Sequence, residues 1–215
     1  MPFVMSVFDF HTHLLFGVDH GVQTEEIYRK LLLEYHKYGI DTLVFTPHIY
    51  HPTVKTNALN VRPNFEKAVK DAEKLGMKVY LGSELYLASQ LEVKCIPVAG
   101  RFALCEFSTR EKPMALGRKL QQLLDKGLEL VVAHVERYPW MKPKDDTFKM
   151  LRGLGAWIQV NVESVENKKA LPYLEEDLVD IIATDNHGDM TLPLRLKTAL
   201  DAYPTIRARM ESMGL

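Results

Sequence analysis

A chain of 215 residues with 47% hydrophobic and 26% charged residues has the composition of an ordinary globular domain, so disordered and fibrous classes drop out and a single domain over 1–215 is expected. Its 27 Lys and Arg balance 28 Asp and Glu to a formal net charge of −1, which argues against a broad nucleic-acid footprint. No apolar run approaches the roughly 20 residues of a membrane span. No basic segment precedes Asp9, and Cys95 and Cys105 sit in apolar contexts as free thiols would, so a cytoplasmic protein is expected.

The first strand is expected at 7–10, an apolar run that leads into Asp9-Phe10-His11-Thr12-His13. On extended backbone, alternate side chains share a face, so His11 and His13 point the same way, about 7 Å apart at the backbone and able to converge on one ion. A loop carrying His20 follows. Thr24 then reads as the N-cap of a helix with Glu25 and Glu26 in its first turn, Ile27, Leu31, Leu32 and Tyr35 at helical spacing, and Gly39 as its stop. The second strand, 42–45, stops at Thr46-Pro47-His48, and 49–61 reads as a loop carrying His51. A helix over 63–75 precedes a third strand, 77–81, that ends at Gly82-Ser83-Glu84. Residues 85–100 show no regular pattern, and the fourth strand, 102–105, leads into Glu106. A helix over 116–126, a fifth strand at 128–133 ending at His134, a helix over 146–154 and a sixth strand at 156–162 come next. The seventh strand, 180–183, ends at Thr184-Asp185-Asn186-His187, and 192–213 reads as one or two helices divided near Pro204.

Short, near-continuous apolar strands alternating with amphipathic helices imply a parallel sheet with helices outside. Seven such units predict an α/β fold closed into a TIM-like (β/α)7 barrel. In such barrels the carboxy ends of the strands share one mouth. That mouth would gather His11, His13, His20, His48, Glu84, Glu106, His134, Asp185 and His187. Singly, each has an ordinary explanation, as a hydrogen-bonded core histidine or a carboxylate capping a helix. Together they carry a metal reading, because carboxylates crowded at an apolar layer would repel one another and desolvate at several kcal/mol each without cations. The donors suffice for two or three divalent ions, and imidazole mixed with carboxylate suits Mn, Fe or Zn.

The motifs Asp9-Phe10-His11-Thr12-His13, Thr46-Pro47-His48, Gly82-Ser83-Glu84, Cys105-Glu106-Phe107, Ala133-His134-Val135-Glu136-Arg137-Tyr138 and Ala183-Thr184-Asp185-Asn186-His187 resemble the polymerase and histidinol phosphatase (PHP) superfamily. Within it they resemble the bacterial capsular-polysaccharide type of metal-dependent tyrosine phosphatase. The resemblance implies a distorted seven-stranded barrel with its metal site at the C-terminal ends of the strands. It further implies one ion on His11, His13, Glu84 and Asp185, with Glu84 bridging to a second on Glu106 and His134, and a third on His20, His48 and His187. His20 stands where that branch usually has Asp. Arg137 matches its phosphate-binding arginine; a second arginine is expected about five residues beyond His187, where Leu192 stands, and Arg195 is the nearest substitute.

The expected activity is phosphomonoester hydrolysis, most directly of phosphotyrosine in a protein substrate, by a metal-bridging hydroxide with Arg137 on the phosphate oxygens. His51 is a candidate proton donor or substrate contact, although a solvated loop position is the stronger expectation for it, and Tyr138 and Tyr50 are candidates either to stack on an aromatic substrate or simply to pack. A small-molecule phosphatase, such as one acting on histidinol phosphate, is the alternative enzyme. A nuclease or editing module of the same superfamily fits less well, for want of a basic stripe.

Overall fold

The computed structural model describes residues 7–49, 51–88 and 93–215. In chain order it contains β1 (Val7–Thr12), α1 (Glu25–Lys37), β2 (Ile40–Phe45), α2 (Ala58–Glu73), β3 (Lys78–Leu81), β4 (Glu84–Tyr86), β5 (Phe102–Glu106) and α3 (Leu116–Leu124). Then follow β6 (Glu129–Val132), a 3-10 turn (Val135–Arg137), α4 (Asp146–Gly153), β7 (Trp157–Asn161), α5 (Val162–Glu166), α6 (Leu171–Leu174), β8 (Ile181–Ala183), α7 (Leu192–Ala202) and α8 (Pro204–Ser212).

The α/β alternation is as expected, and every strand pairing is parallel. The seven-strand expectation needs correction. Eight strands among the described residues form a three-stranded sheet, β1-β2-β3, and a five-stranded sheet, β4-β5-β6-β7-β8. The extra strand arises where the third expected strand bends at Gly82-Ser83. There Gly82 N still donates to Phe45 O of the first sheet, while Ser83 is captured by Ile96 through a backbone bond of 3.0 Å and a side-chain bond of 2.8 Å. A Cβ at Gly82 would meet Val98 Cγ2 at 2.3 Å, so only glycine lets the chain turn so close to Val98. Beyond the bend β4 leaves β3's sheet and pairs with β5, Glu84 opposite Leu104.

Backbone bonds join the far edges: Asp185 N donates to His11 O at 2.8 Å and His13 N to Asn186 O at 2.9 Å. Asp9 reinforces this seam. Its buried carboxylate accepts from Thr184 N, the Thr184 hydroxyl and the Tyr35 hydroxyl, tying β1 to the end of β8 and to α1.

The helices shield the sheets as amphipathic patterns require. Thr24 caps α1, its hydroxyl accepting from Ile27 N, and Gly39 follows at φ +71°. Tyr28 rather than Ile27 faces the core beside Leu31, Leu32 and Tyr35; Ile27 is exposed. The second helix begins at Ala58, earlier than expected from Pro63, because Asn60 and Asn64 donate to Gly17 O and Phe16 O and dock its first turns on the loop after β1. The helices α5 and α6 are too short for a 3.6-residue period to show in sequence, and α7 and α8 divide at Pro204.

One continuous apolar core runs through both sheets, from Phe8, Phe10 and Leu43 to Leu104, Val131, Ile158 and Ile182. Among the described residues no helix is long and apolar enough to cross a membrane. Cys95 and Cys105 are both free thiols.

Candidate metal centre

The parallel strands deliver the candidate ligands to one edge. His11 ends β1, Glu84 opens β4 immediately past the bend, Glu106 ends β5, and His134 and Asp185 lie just beyond β6 and β8. Two of these residues adopt left-handed backbone, His134 at φ +33° and Asp185 at φ +54°. Such a conformation costs a non-glycine residue about 1–3 kcal/mol and persists only where surrounding structure enforces it.

The tightest group is His11, His13, Glu84 and Asp185, all buried. His11 Nε2 and His13 Nε2 are 3.2 Å apart; Glu84 Oε2 lies 3.2 and 3.1 Å from them, and Asp185 Oδ1 lies 3.4 and 3.3 Å from them. These five distances, with all four ligand atoms within 4.8 Å of one another, bring the donors close enough to share one ion. Glu84 also enters a second group with Glu106 and His134, its Oε1 2.9 Å from His134 Nε2.

Hydrogen bonds on the far ring nitrogens set the tautomers that ligation requires. His13 Nδ1 lies 2.7 Å from Asp19 Oδ2, and His187 Nδ1 donates to Asp185 O at 2.7 Å. His11 Nδ1 faces Gln159 Oε1 at 3.2 Å, an oxygen that also accepts His134 N while the Gln159 amide donates to Asn161. In all three rings the acceptor beside Nδ1 favours a proton there, which makes Nε2 the nitrogen an ion would take, in His11 and His13 by displacing a second proton.

Charge within the cluster also fits cations. Burial, then the Glu84 and Asp185 carboxylates, pushes Glu106 up to about 9. Burial opposes protonation of His11 and His13, but the same two carboxylates prevail and raise both, His13 well above its ordinary value with Asp19 contributing. Glu84 and Asp185 are held well below the carboxylate range against the cost of burial, chiefly by His11 and His13. Protons on histidines and on Glu106 thus supply positive charge that divalent ions would supply instead. His48 Nδ1 and Glu106 Oε2 are both buried without a hydrogen-bond partner and lie 3.8 Å apart, so a cation between them would satisfy two orphaned atoms. The residues present therefore fit a metal cluster.

The remaining candidates fall in different places. His48 lies with His51 and Glu106, whereas His20 is exposed, its ring 5.1 Å from that of His48 and 4.5 Å from that of His187. The His20 ring therefore stacks on that of His48 and is tilted against that of His187, and these three do not form one of the converging ligand groups. Instead of a solvated loop position, His51 occupies a partly buried one: Nδ1 accepts from Thr53 N and Val54 N, and Nε2 is 3.6 Å from Glu106 Oε2. Arg137, half exposed, places Nη2 2.7 Å from Asp185 Oδ2 at the rim of the cluster. Arg195 is taken up by ion pairs with Glu166, Glu163 and Asp189, none of them a candidate ligand. Tyr138 is buried against Phe107 and Trp140 with its hydroxyl 3.1 Å from His134 Nδ1, so it packs and orients rather than stacking on a substrate. Tyr50 lies outside the described residues.

Asp19, Gln159 and Asn161 were not anticipated. Besides holding His13, Asp19 accepts from His48 N and Gly21 N, and Asn161 Nδ2 donates to Asp185 Oδ2. Gly21 lets the Asp19 loop close, since a Cβ there would lie 2.1 Å from His13 O. For Gln159 and Asn161 a signal existed: two polar residues at period two within the otherwise apolar strand Trp157–Asn161 mark one face of its carboxy end.

Known proteins resemble this chain in sequence and in fold. The tyrosine-protein phosphatase CpsB of Streptococcus pneumoniae is 29% identical over 90% of this chain and 88% of its own. The tyrosine-protein phosphatase CpsB of Streptococcus agalactiae is 30% identical over 92% and 88%. A structure from the crystallographic work on YwqE from Bacillus subtilis and CpsB from Streptococcus pneumoniae, described as metal-dependent tyrosine phosphatases, superposes with a TM-score of 0.75 at 22% identity, covering 93% of this chain and 87% of that one. Residues 7–210 match the capsular polysaccharide synthesis family CpsB/CapC, and the chain belongs to that family.

Proposed function

We propose that this chain is a metal-dependent phosphomonoesterase that hydrolyses phosphotyrosine in protein substrates. The observation that carries the reading is the buried group His11, His13, Glu84 and Asp185, joined through Glu84 to Glu106 and His134, in a member of a family whose named relatives are tyrosine phosphatases. His11, His13, Glu84 and Asp185 would hold one ion and Glu84, Glu106 and His134 a second; His48, with His187 and either His20 or His51, is the source of ligands for a third. Mn, Fe and Zn all suit such donors. Bound there, divalent ions supply Lewis-acid stabilisation of phosphate charge and acidify water.

The chain's own residues supply the rest. Asp185 holds the Arg137 guanidinium at the rim, where it can meet the phosphate oxygens in bidentate fashion. Asp19, Gln159 and Tyr138 orient His13, His11 and His134. A phenolate leaving group, with a pKa near 10, needs less help from a general acid than an alkoxide, which suits a site whose His51 Nδ1 is already occupied by its own loop.

The two sheets read as one distorted barrel of seven positions in a single domain, β3 and β4 sharing one position across the Gly82 bend; the bonds between the end of β8 and β1 support closure. Two unpaired cysteines favour a cytoplasmic setting.

The test is phosphate release from a phosphotyrosine peptide, p-nitrophenyl phosphate and histidinol phosphate with Mn²⁺ present and after exhaustive chelation. Metal-dependent turnover with the highest kcat/KM on the peptide is expected. Preference for histidinol phosphate, or turnover that survives chelation, would overturn the reading. Arg137→Ala should raise KM for the peptide while leaving bound metal unchanged.

A further inference from the structure

His51 is hydrogen-bonded the other way round from the histidines of the metal centre. His11, His13 and His187 each turn Nδ1 to an oxygen acceptor, which makes Nε2 the nitrogen for an ion. At His51 the partners of Nδ1 are donors. The main-chain N–H groups of Thr53 and Val54 reach it at 3.2 and 3.1 Å, with the Thr53 hydroxyl also at 3.2 Å. A main-chain N–H can only donate, so Nδ1 is an acceptor without a proton, and the neutral ring carries its proton on Nε2. This tautomer has no lone pair to give an ion: that of Nδ1 is taken by the loop, and Nε2 is an N–H.

The ring is also held in place. Tyr86 packs against it with centroids 4.5 Å apart at 66°, and Tyr86 stands opposite Glu106 in the pairing of β4 with β5. The His51 side chain is only 11% exposed, and its Nε2 lies 3.6 Å from Glu106 Oε2, too far for a hydrogen bond. Glu106 Oε2 accordingly has no hydrogen-bond partner, and among the described residues no acceptor takes the His51 Nε2–H. A largely buried N–H without an acceptor, at the edge of the ligand cluster, calls for an oxygen from outside the chain. Arg195, spent on Glu166, Glu163 and Asp189, supplies no donor here.

We propose that His51 is a catalytic residue that touches the substrate: a neutral Nε2–H donor, its tautomer fixed by the main chain of Thr53 and Val54, that hydrogen-bonds a non-bridging oxygen of the bound phosphate. This rests on the phosphomonoesterase reading above and not on which alcohol carries the phosphate. The proton stays on Nε2 throughout, so His51 binds and orients rather than transferring a proton. Arg137 meets the phosphate from the Asp185 side of the cluster and His51 from the Glu106 side. His51 then stands outside the third set of metal ligands, which falls to His48, His187 and His20.

The test uses His51→Asn and His51→Gln. The Asn carbonyl can still accept the N–H two residues on, as in an Asx turn, so it keeps the loop anchor and removes the donor. The longer Gln can carry an amide N–H to the place of Nε2. With Mn²⁺ loaded, His51→Asn should lose roughly 10–100-fold in kcat/KM for p-nitrophenyl phosphate and bind inorganic phosphate more weakly by calorimetry. His51→Gln should recover most of both, and all three proteins should hold the same amount of metal. In histidine labelled with ¹⁵N, the His51 Nε2 of wild type should stay protonated on loading with diamagnetic Zn²⁺, and its resonance should move when inorganic phosphate is added.

Should His51→Asn fail to fold, as its melting curve would reveal, the labelled wild type carries the test. Wild-type turnover and phosphate binding in His51→Asn, or no recovery in His51→Gln, would overturn the proposal. So would a resonance unmoved by phosphate. Loss of the Nε2 proton on loading, or of bound metal in His51→Asn, would make His51 a ligand or a partner of Glu106 and also overturn it. All these results leave the phosphatase reading standing, whereas no phosphate release by metal-loaded wild type overturns both.

Discussion

Replacing Glu84 by Gln removes one negative charge from the centre of the site while keeping its shape. The Glu84 side chain is 2% exposed, and its oxygens lie 2.9 Å from His134, 3.1 Å from His13, 3.2 Å from His11 and 3.4 Å from His48. In the chelated protein this carboxylate is a counter-charge shared by protonated His11 and His13, and removing one partner of a buried ionic group costs about 3–5 kcal/mol. At roughly 2–4 °C per kcal/mol for a domain of this size, the chelated variant should melt roughly 6–20 °C below the chelated wild type. In the loaded protein the loss is of a ligand that belongs to both metal groups, so bound metal should fall by at least one ion per chain. Both quantities are accessible, by calorimetric melting of chelated and loaded protein and by metal analysis after gel filtration. Glu26→Gln serves as control, since Glu26 pairs with Lys30 on the exposed face of α1 and should change neither readout. A Glu84→Gln protein that keeps its full metal content and melts with wild type would refute the placement of Glu84 between two ions.

Asp19→Asn and Tyr138→Phe should each weaken metal binding or turnover by roughly 10–100-fold, because each removes the partner that orients a ligand ring without removing the ligand; titration with Mn²⁺ at fixed pH measures it, and wild-type affinity in both would refute the orienting role. Metal affinity should rise with pH. In the chelated protein His11 and His13 are raised above 6.5 by Glu84 and Asp185, and Glu106 is raised to about 9 by burial, so near pH 7 an incoming metal displaces up to three protons. His48 and His187, depressed by burial to about 3 and about 4, release none. The apparent binding constant should therefore climb between about pH 6.5 and about pH 9, and calorimetry in buffers of different ionisation enthalpy should detect proton release. A pH-independent constant would contradict this charge distribution.

Much of the site was legible because the strand period and the parallel topology act locally. His11 and His13 share a face for the reason their spacing predicts, and with His48, Glu84, Glu106, His134, Asp185 and His187 they stand at or just past strand ends read from apolar runs. The groups that orient those ligands were less legible. Asp19 acts from a loop with no periodic pattern, and Tyr138 reads as a packing aromatic until its hydroxyl meets His134. The second sheet was hidden for a similar reason: the Gly82 bend depends on Ile96 and Val98, distant in sequence, closing on it.

The sequence by itself determined the α/β alternation, the carboxy-edge placement of the ligands and the chemistry of the donor set, since residue type and local period decide all three. Only the tertiary structure decided which donors share an ion-sized space, which acceptor faces Nδ1 of His11, His13 and His187, and that Arg195 is consumed by acids on neighbouring segments. These outcomes depend on distances between residues far apart in the chain, and those distances exist only after the strands have assembled around a common core.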